Sequence, residues 1–217
     1  MENKRVADTG IWKFVNLAGN AIGLNLVFIV VCLPVITIGP AMCGLYSGVR
    51  YMIRGDGWFQ GFWAGFRTHF VRTGIAGLLS VAAMAYLLLN FNVAFNFYLE
   101  DGSMVPMITY GIMAVLPAMI IASLWPLNIY IPYGTADWLR NTVSLVFKAP
   151  IPVLATAVLM ILPVILILFW TNLAFLGIMV IIAVYFALAA FASTILYKDD
   201  LVRLLLEYRS EHPAQEE

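Results

Sequence analysis

The side chains of this 217-residue chain that could do chemistry do not form a recognisable set. His69 has no second histidine, cysteine or carboxylate at the spacing of a metal site, so we interpret it as an interfacial polar residue. No Ser/His/Asp triad, cysteine nucleophile or carboxylate pair is placed for catalysis. The sequence therefore predicts a protein that is not an enzyme, with no catalytic, cofactor-binding or metal-binding residues.

Amide side chains are the polar groups that remain. Asn90, Asn92 and Asn96 cluster near the end of one apolar segment, and Asn128 and Asn172 lie in others. Amides beside aromatic rings suit sugars, so an outward-facing carbohydrate groove is one interpretation. Hydrogen bonds between helices, or at helix ends, explain the same residues more simply.

Charge is missing from four long stretches, 21–40, 74–99, 104–136 and 149–197. The chain is 63% hydrophobic and 11% charged, with a mean hydropathy of +0.92, whereas an average soluble domain is about 25% charged. A run of about 18 apolar residues can cross the hydrocarbon layer as a helix. These stretches predict an all-α, polytopic membrane helix bundle. No Asp, Glu, Lys or Arg lies in the middle of a span, which argues against an ion-driven pump. A net charge of zero gives no reason to expect nucleic acid.

Six embedded helices are predicted, over 15–34, 37–54, 74–99, 106–132, 150–170 and 173–196. The first two meet at a turn where Pro34 and Pro40 interrupt the helix, Thr37 suits an N-cap and Gly39 lies between them. A full hairpin, a re-entrant hairpin and a single kinked crossing are all compatible with this turn.

The basic residues favour a hairpin. If the first pair of segments returns to its starting side, every lysine and arginine falls on one side of the membrane, and the other side keeps only Glu100 and Asp101 as charges. The positive-inside rule assigns that basic side to the cytoplasm. The sequence thus predicts a multi-pass protein with both termini cytoplasmic. The basic residues are Lys4, Arg5, Lys13, Arg50, Arg54, Arg67, Arg72, Arg140, Lys148, Lys198, Arg203 and Arg209.

Three amphipathic segments, 57–72, 135–148 and 199–211, are predicted on the cytoplasmic side. In the third, Arg203 is spaced to pair with Asp199 and Glu207. The first has an aromatic arc suited to headgroup depth and a glycine stripe against which something can lie flat. A neighbouring helix of this chain and a partner subunit are the two candidates. The predicted partner surface consists of Trp58, Gly61, Phe62, Trp63, Gly65, Phe66 and Arg67.

A weak internal repeat is also visible. At an offset of 77 residues, the tripeptide at 40–42 matches the one at 117–119, and Phe70 matches Phe147. Both copies have the order span, amphipathic helix, span. We therefore predict one integral membrane domain, 1–217, with a possible two-span repeat over about 38–99 and 115–170.

Two stretches carry a family resemblance. The run Leu33-Pro34-Val35-Ile36-Thr37-Ile38-Gly39-Pro40-Ala41, followed by Leu45-Tyr46, resembles the opening signature of the YesL family, and the stretch 61–70 resembles a later one. This chain has His69 where the family often has an amide. The family consists of small bacterial integral membrane proteins of unknown function, commonly encoded beside sugar-binding ABC transporter components. The resemblance therefore implies the bacterial cell membrane and a context of carbohydrate uptake, but no activity.

The leading expectation is a non-enzymatic accessory subunit for ABC-type carbohydrate uptake. Its partners would be the lipid bilayer and a permease or ATPase subunit. One alternative is a transporter that moves substrate alone or as a homo-oligomer, and another is a membrane scaffold. A transporter should have a continuous polar cavity, whereas an accessory protein should have a closed bundle.

Overall fold

The computed structural model describes residues 10–131, 134–169 and 175–211. These residues form helices and no strand, which confirms the all-α prediction. The longer helices are α1 (Gly10–Val31), α2 (Ile38–Arg54), α4 (Phe70–Asp101), α5 (Val105–Tyr130), α7 (Pro150–Phe169) and α8 (Phe175–Leu196). The shorter ones are α3 (Trp58–Arg67), α6 (Thr135–Lys148) and α9 (Lys198–Glu211), and a 3-10 helix covers Val35–Thr37.

Most boundaries lie close to the predicted ones, but the first amphipathic segment is shorter than the predicted 57–72. Helix α3 ends at Arg67, and α4 begins at Phe70 after a two-residue break. The break consists of Thr68, whose ψ of 116° is extended, and His69, whose φ of 52° is left-handed, and neither conformation continues an α-helix. Helix α5 includes Pro117 and Pro126 and continues through both. The boundary between the predicted spans 150–170 and 173–196 lies outside the described residues.

Two described helices, α4 and α5, are long and apolar enough to cross a membrane. A third span results if α6 and the first part of α7, which meet at 105°, count as one. Large apolar side chains are exposed along α4 from Leu78 to Leu99 and along α5 from Val105 to Leu116. Helices that expose so much apolar surface indicate a membrane protein. The number of embedded helices stays a prediction.

Helix α2 forms the centre of the bundle. Ten of its residues between Gly39 and Val49 are buried, because α1, α3, α4, α5 and α8 all pack against it. Its small residues allow these neighbours to approach closely. A helix that is buried all round is expected in the core of a bundle.

The chain reverses between α1 and α2, since Leu24 of α1 lies against Gly48 of α2. Thr37 occupies the N-cap position of α2, but its hydroxyl makes no bond to that helix. It bonds back to the carbonyl oxygens of Val31 and Pro34. These bonds therefore connect the turn to the end of α1 and not to the start of α2.

Helices α6 and α9 join at the surface. Lys148 Nζ is 2.8 Å from Glu207 Oε2. This pairing replaces the predicted bond between Arg203 and Glu207, because α6 brings a cation to Glu207 from outside its own helix. Both partners are more than half exposed, so the pair contributes at most about 1 kcal/mol.

Candidate functional site

The predicted partner surface on α3 is largely covered by this chain's own α2. Gly61, Phe62 and Gly65 are buried, Trp58, Trp63 and Phe66 are half-buried, and only Arg67 among the seven is exposed. Of the two candidates for what lies against the glycine stripe, the described residues show a neighbouring helix of this chain, and contact of this surface with a partner subunit stays a prediction. The left-handed Gly55 turns the chain after α2, and the short helix lies back on its predecessor.

Glycines on both helices make this contact close. A Cβ at Gly61 would lie 2.6 Å from Cγ of Tyr51, and a Cβ at Gly44 would lie 2.8 Å from a ring carbon of Phe62. Gly65 faces the backbone of Cys43 in the same way. Backbones that approach through small residues gain van der Waals contact over a long stretch. The spacing of the glycines thus marks an intramolecular seam.

Aromatic rings cover the rest of α3. Trp63 makes edge contacts with Phe59, Phe62 and Phe66 at centroid separations of 6.2, 5.7 and 5.3 Å. Phe66 continues the chain of rings to Phe70 at the start of α4. Edge-to-face geometry suits the ring quadrupoles. The outward side of α3 presents Phe59, which is about half exposed.

Two arginines make hydrogen bonds at the C-terminal end of α5. The sequence analysis did not predict these contacts. Arg50 Nη1 donates to the carbonyl oxygen of Ile129 at 2.9 Å, and Arg72 donates to Oδ1 of Asn128. Helix C-termini carry unpaired carbonyls and partial negative charge, which both guanidinium groups complement. Arg72 also lies 4.8 Å from the ring centroid of Trp138.

Asn128 links three helices. It accepts from Arg72 of α4, and its Nδ2 donates to Sγ of Cys43 on α2 at 3.3 Å. Among the other amides, Asn90 bonds the carbonyl of Tyr86 and Asn96 bonds Asn92, both within α4. Hydrogen bonding inside and between helices therefore accounts for Asn90, Asn92, Asn96 and Asn128. Asn172 lies outside the described residues.

His69 is exposed at the break between α3 and α4. Partial burial and the nearby charge of Arg72 lower the pKa of its imidazole, so the neutral form prevails at pH 7. Within the described part of the chain, no three histidine, cysteine or acidic residues lie close enough together to hold a metal ion. Cys32 and Cys43 are both free thiols.

A family described as "Protein of unknown function, DUF624" matches residues 21–91. The matched range begins in α1, includes α2 and α3, and ends within α4, so it contains the whole glycine seam. The match supports similarity to an uncharacterised family, and its description does not use the name YesL. No curated protein and no solved structure matches the chain.

Proposed function

We propose that this protein is a non-enzymatic accessory subunit of a membrane assembly for carbohydrate uptake, located in the bacterial cell membrane. The observation that carries the accessory role is the closed centre of the described bundle. A substrate path along the axis of the described bundle would have to pass through α2, where ten of the eleven residues from Gly39 to Val49 are buried. The carbohydrate context rests on the YesL resemblance alone.

An exposed apolar stripe on α6 supports a partner contact. Leu139, Val143 and Phe147 recur at intervals of four residues and are 49%, 43% and 71% exposed. Trp138 and Leu145 of the same helix are buried. A short helix whose inner face is already packed, and whose outer face still carries apolar side chains, suits docking on another membrane protein.

The test is affinity purification of the full chain from its bacterial host in mild detergent, with identification of proteins that elute in fixed proportion. We expect a permease or ATPase subunit of a sugar ABC transporter. The double variant Leu139→Gln, Val143→Gln should lose that subunit and still insert into the membrane. Leu206→Gln is the control, because Leu206 is also an exposed apolar residue but lies on α9.

A different result would favour the transporter alternative. If the purified protein, reconstituted alone in vesicles, moves sugar across the bilayer, the accessory role is wrong. If the α6 variant and the Leu206→Gln control retain the same partner equally, the stripe is not the docking surface.

A further inference from the structure

A groove of about 160 Å³ lies where α2, α5, α8 and α9 meet. Two cations, Arg50 and Lys198, stand at this groove. Leu201, Val202 and Leu205 of α9 form an apolar wall. A groove lined by both positive charge and hydrocarbon matches a ligand with an anionic head and an apolar tail.

Arg50 is held in place before any ligand arrives. Its guanidinium lies 5.2 Å from the ring centroid of Tyr130 and bonds the carbonyl of Ile129 through Nη1. The hydroxyl of Tyr130 is 3.3 Å from Oγ1 of Thr194, which fixes the ring from its far end. A guanidinium has five donors, so the bond to Ile129 leaves others for an anion.

The charge of Arg50 is not neutralised within the described residues. No carboxylate there lies at ion-pair distance from it, since the described ion pair joins Lys148 and Glu207. Arg54 lies one turn further along α2 and adds positive charge. A half-buried, pre-positioned arginine beside a lysine is a strong site for a phosphate group.

The groove lies at the end of a helix that is long and apolar enough to cross a membrane. Tyr130 ends α5, one of the two helices that can cross a membrane, and Lys198 begins α9 directly after α8. Tyrosine and basic side chains at such helix ends occupy the interface between headgroups and acyl chains. Basic pockets between membrane helices bind anionic lipid headgroups.

We propose that this groove binds one anionic phospholipid, with its phosphate between Arg50 and Lys198 and the upper part of an acyl chain along Leu201, Val202 and Leu205. The bound lipid would join α9 to the ends of α2 and α5. It would thereby fix the position of the last described helix against the bundle.

The test measures the thermal midpoint of the full chain in detergent while phosphatidylglycerol, phosphatidylcholine or inorganic phosphate is added. We expect phosphatidylglycerol alone to raise the midpoint, and the rise to saturate. Lys198→Gln should weaken the apparent affinity for phosphatidylglycerol about fivefold, the effect of one basic residue near an anionic surface. Val202→Trp should fill the groove and weaken binding without changing charge. Arg140→Gln, an equal charge change on exposed α6, should behave as the unmodified protein.

Three results would overturn the proposal. Equal stabilisation by phosphatidylcholine would show a general detergent or lipid effect. Equal stabilisation by inorganic phosphate would show a free-anion site. Equal affinities for Lys198→Gln and Arg140→Gln would show that the groove is not where the lipid binds. Lys198 is exposed, so its variant remains informative even if Val202→Trp fails to fold.

Discussion

Gly65 is the closest point of the seam between α2 and α3. A Cβ at this position would lie 2.6 Å from the carbonyl oxygen of Cys43, and it would also meet the side chain of Ser47. A backbone oxygen cannot rotate away as a flexible side chain can. Even the smallest side chain at Gly65 must therefore push the two helices apart.

We expect Gly65→Ala to lower the thermal midpoint of the purified protein. Overpacking costs about 1–3 kcal/mol, which exceeds the gain of about 1 kcal/mol in helix propensity. Gly19→Ala is the control, because a Cβ at Gly19 meets nothing within 4 Å. Its midpoint should stay the same or rise. Equal shifts for the two variants would mean that the seam is not tightly packed.

His69 adopts a backbone conformation that disfavours its own side chain. A left-handed conformation costs an L-residue roughly 1–2 kcal/mol, and glycine escapes this cost. We expect His69→Gly to raise the thermal midpoint. Thr68→Gly should lower it, because Thr68 has a φ of −65° and its hydroxyl bonds the carbonyl of Ala64 at 2.7 Å. A loss of stability in His69→Gly would instead reveal a role for the imidazole.

For individual residues, the sequence predicted that another structural element lies close to the glycines of α3. It did not predict which element that is. Spacing along one helix marks a face that permits close approach, and it carries no information about which helix supplies the other side. The pairing of Arg72 with Asn128, 56 residues apart, was missed for the same reason. The pairing of Arg72 with Asn128 depends on how α4 and α5 pack against each other.

The turn between α1 and α2 lies near the start of α4. Gly39 lies against the backbone of Thr73 and Gly77, and a Cβ at Gly74 would lie 3.4 Å from the carbonyl oxygen of Ile36. These residues occupy the first two turns of a 32-residue helix. A hairpin that crossed the membrane beside α4 would place its turn near Asp101. The described contacts therefore place the turn at the Phe70 end of α4, and the choice between a full and a re-entrant crossing of the first pair stays a prediction.

Distances between spin labels test this arrangement without reference to membrane sidedness. Labels at Val35 and Leu99 should be roughly 35–40 Å apart, because the 25 residues from Gly74 to Leu99 rise about 37 Å along a helix. Labels at Val35 and Val71 should be much closer. All three side chains are at least half exposed and can carry a label. A short distance between Val35 and Leu99 would support a hairpin that crosses fully.

The sequence predicted where helices begin and end better than how deeply each helix enters the membrane. The amphipathic segment 135–148 coincides with α6, and the segment after Pro150 coincides with the start of α7. In both cases a proline or a polar run fixes the end locally. Depth depends on where α2 contacts α4, and the hydropathy of 15–54 is compatible with either a full or a partial crossing.

At the scale of the whole molecule, four of the described cations lie where helices converge. Arg50 and Arg72 meet the end of α5, Lys198 shares a groove with Arg50, and Lys148 lies against α9. At the far end of α4, Glu100 and Asp101 are its last two residues, directly before the turn to α5. The positions of these four cations are thus consistent with the prediction that the basic residues lie on one side of the membrane. We therefore keep the prediction that the convergent end faces the cytoplasm.

Cysteine labelling of intact cells with a membrane-impermeant maleimide tests this orientation. Ser103→Cys, in the exposed turn between α4 and α5, should react from outside. Gln60→Cys, exposed on α3, should react only after the cells are opened. The unmodified protein is the background control, since Cys32 is half-buried and Cys43 is buried. The reverse pattern would place the cations outside, against the positive-inside rule. Equal labelling from outside would mean that α4 does not separate the two positions by a membrane.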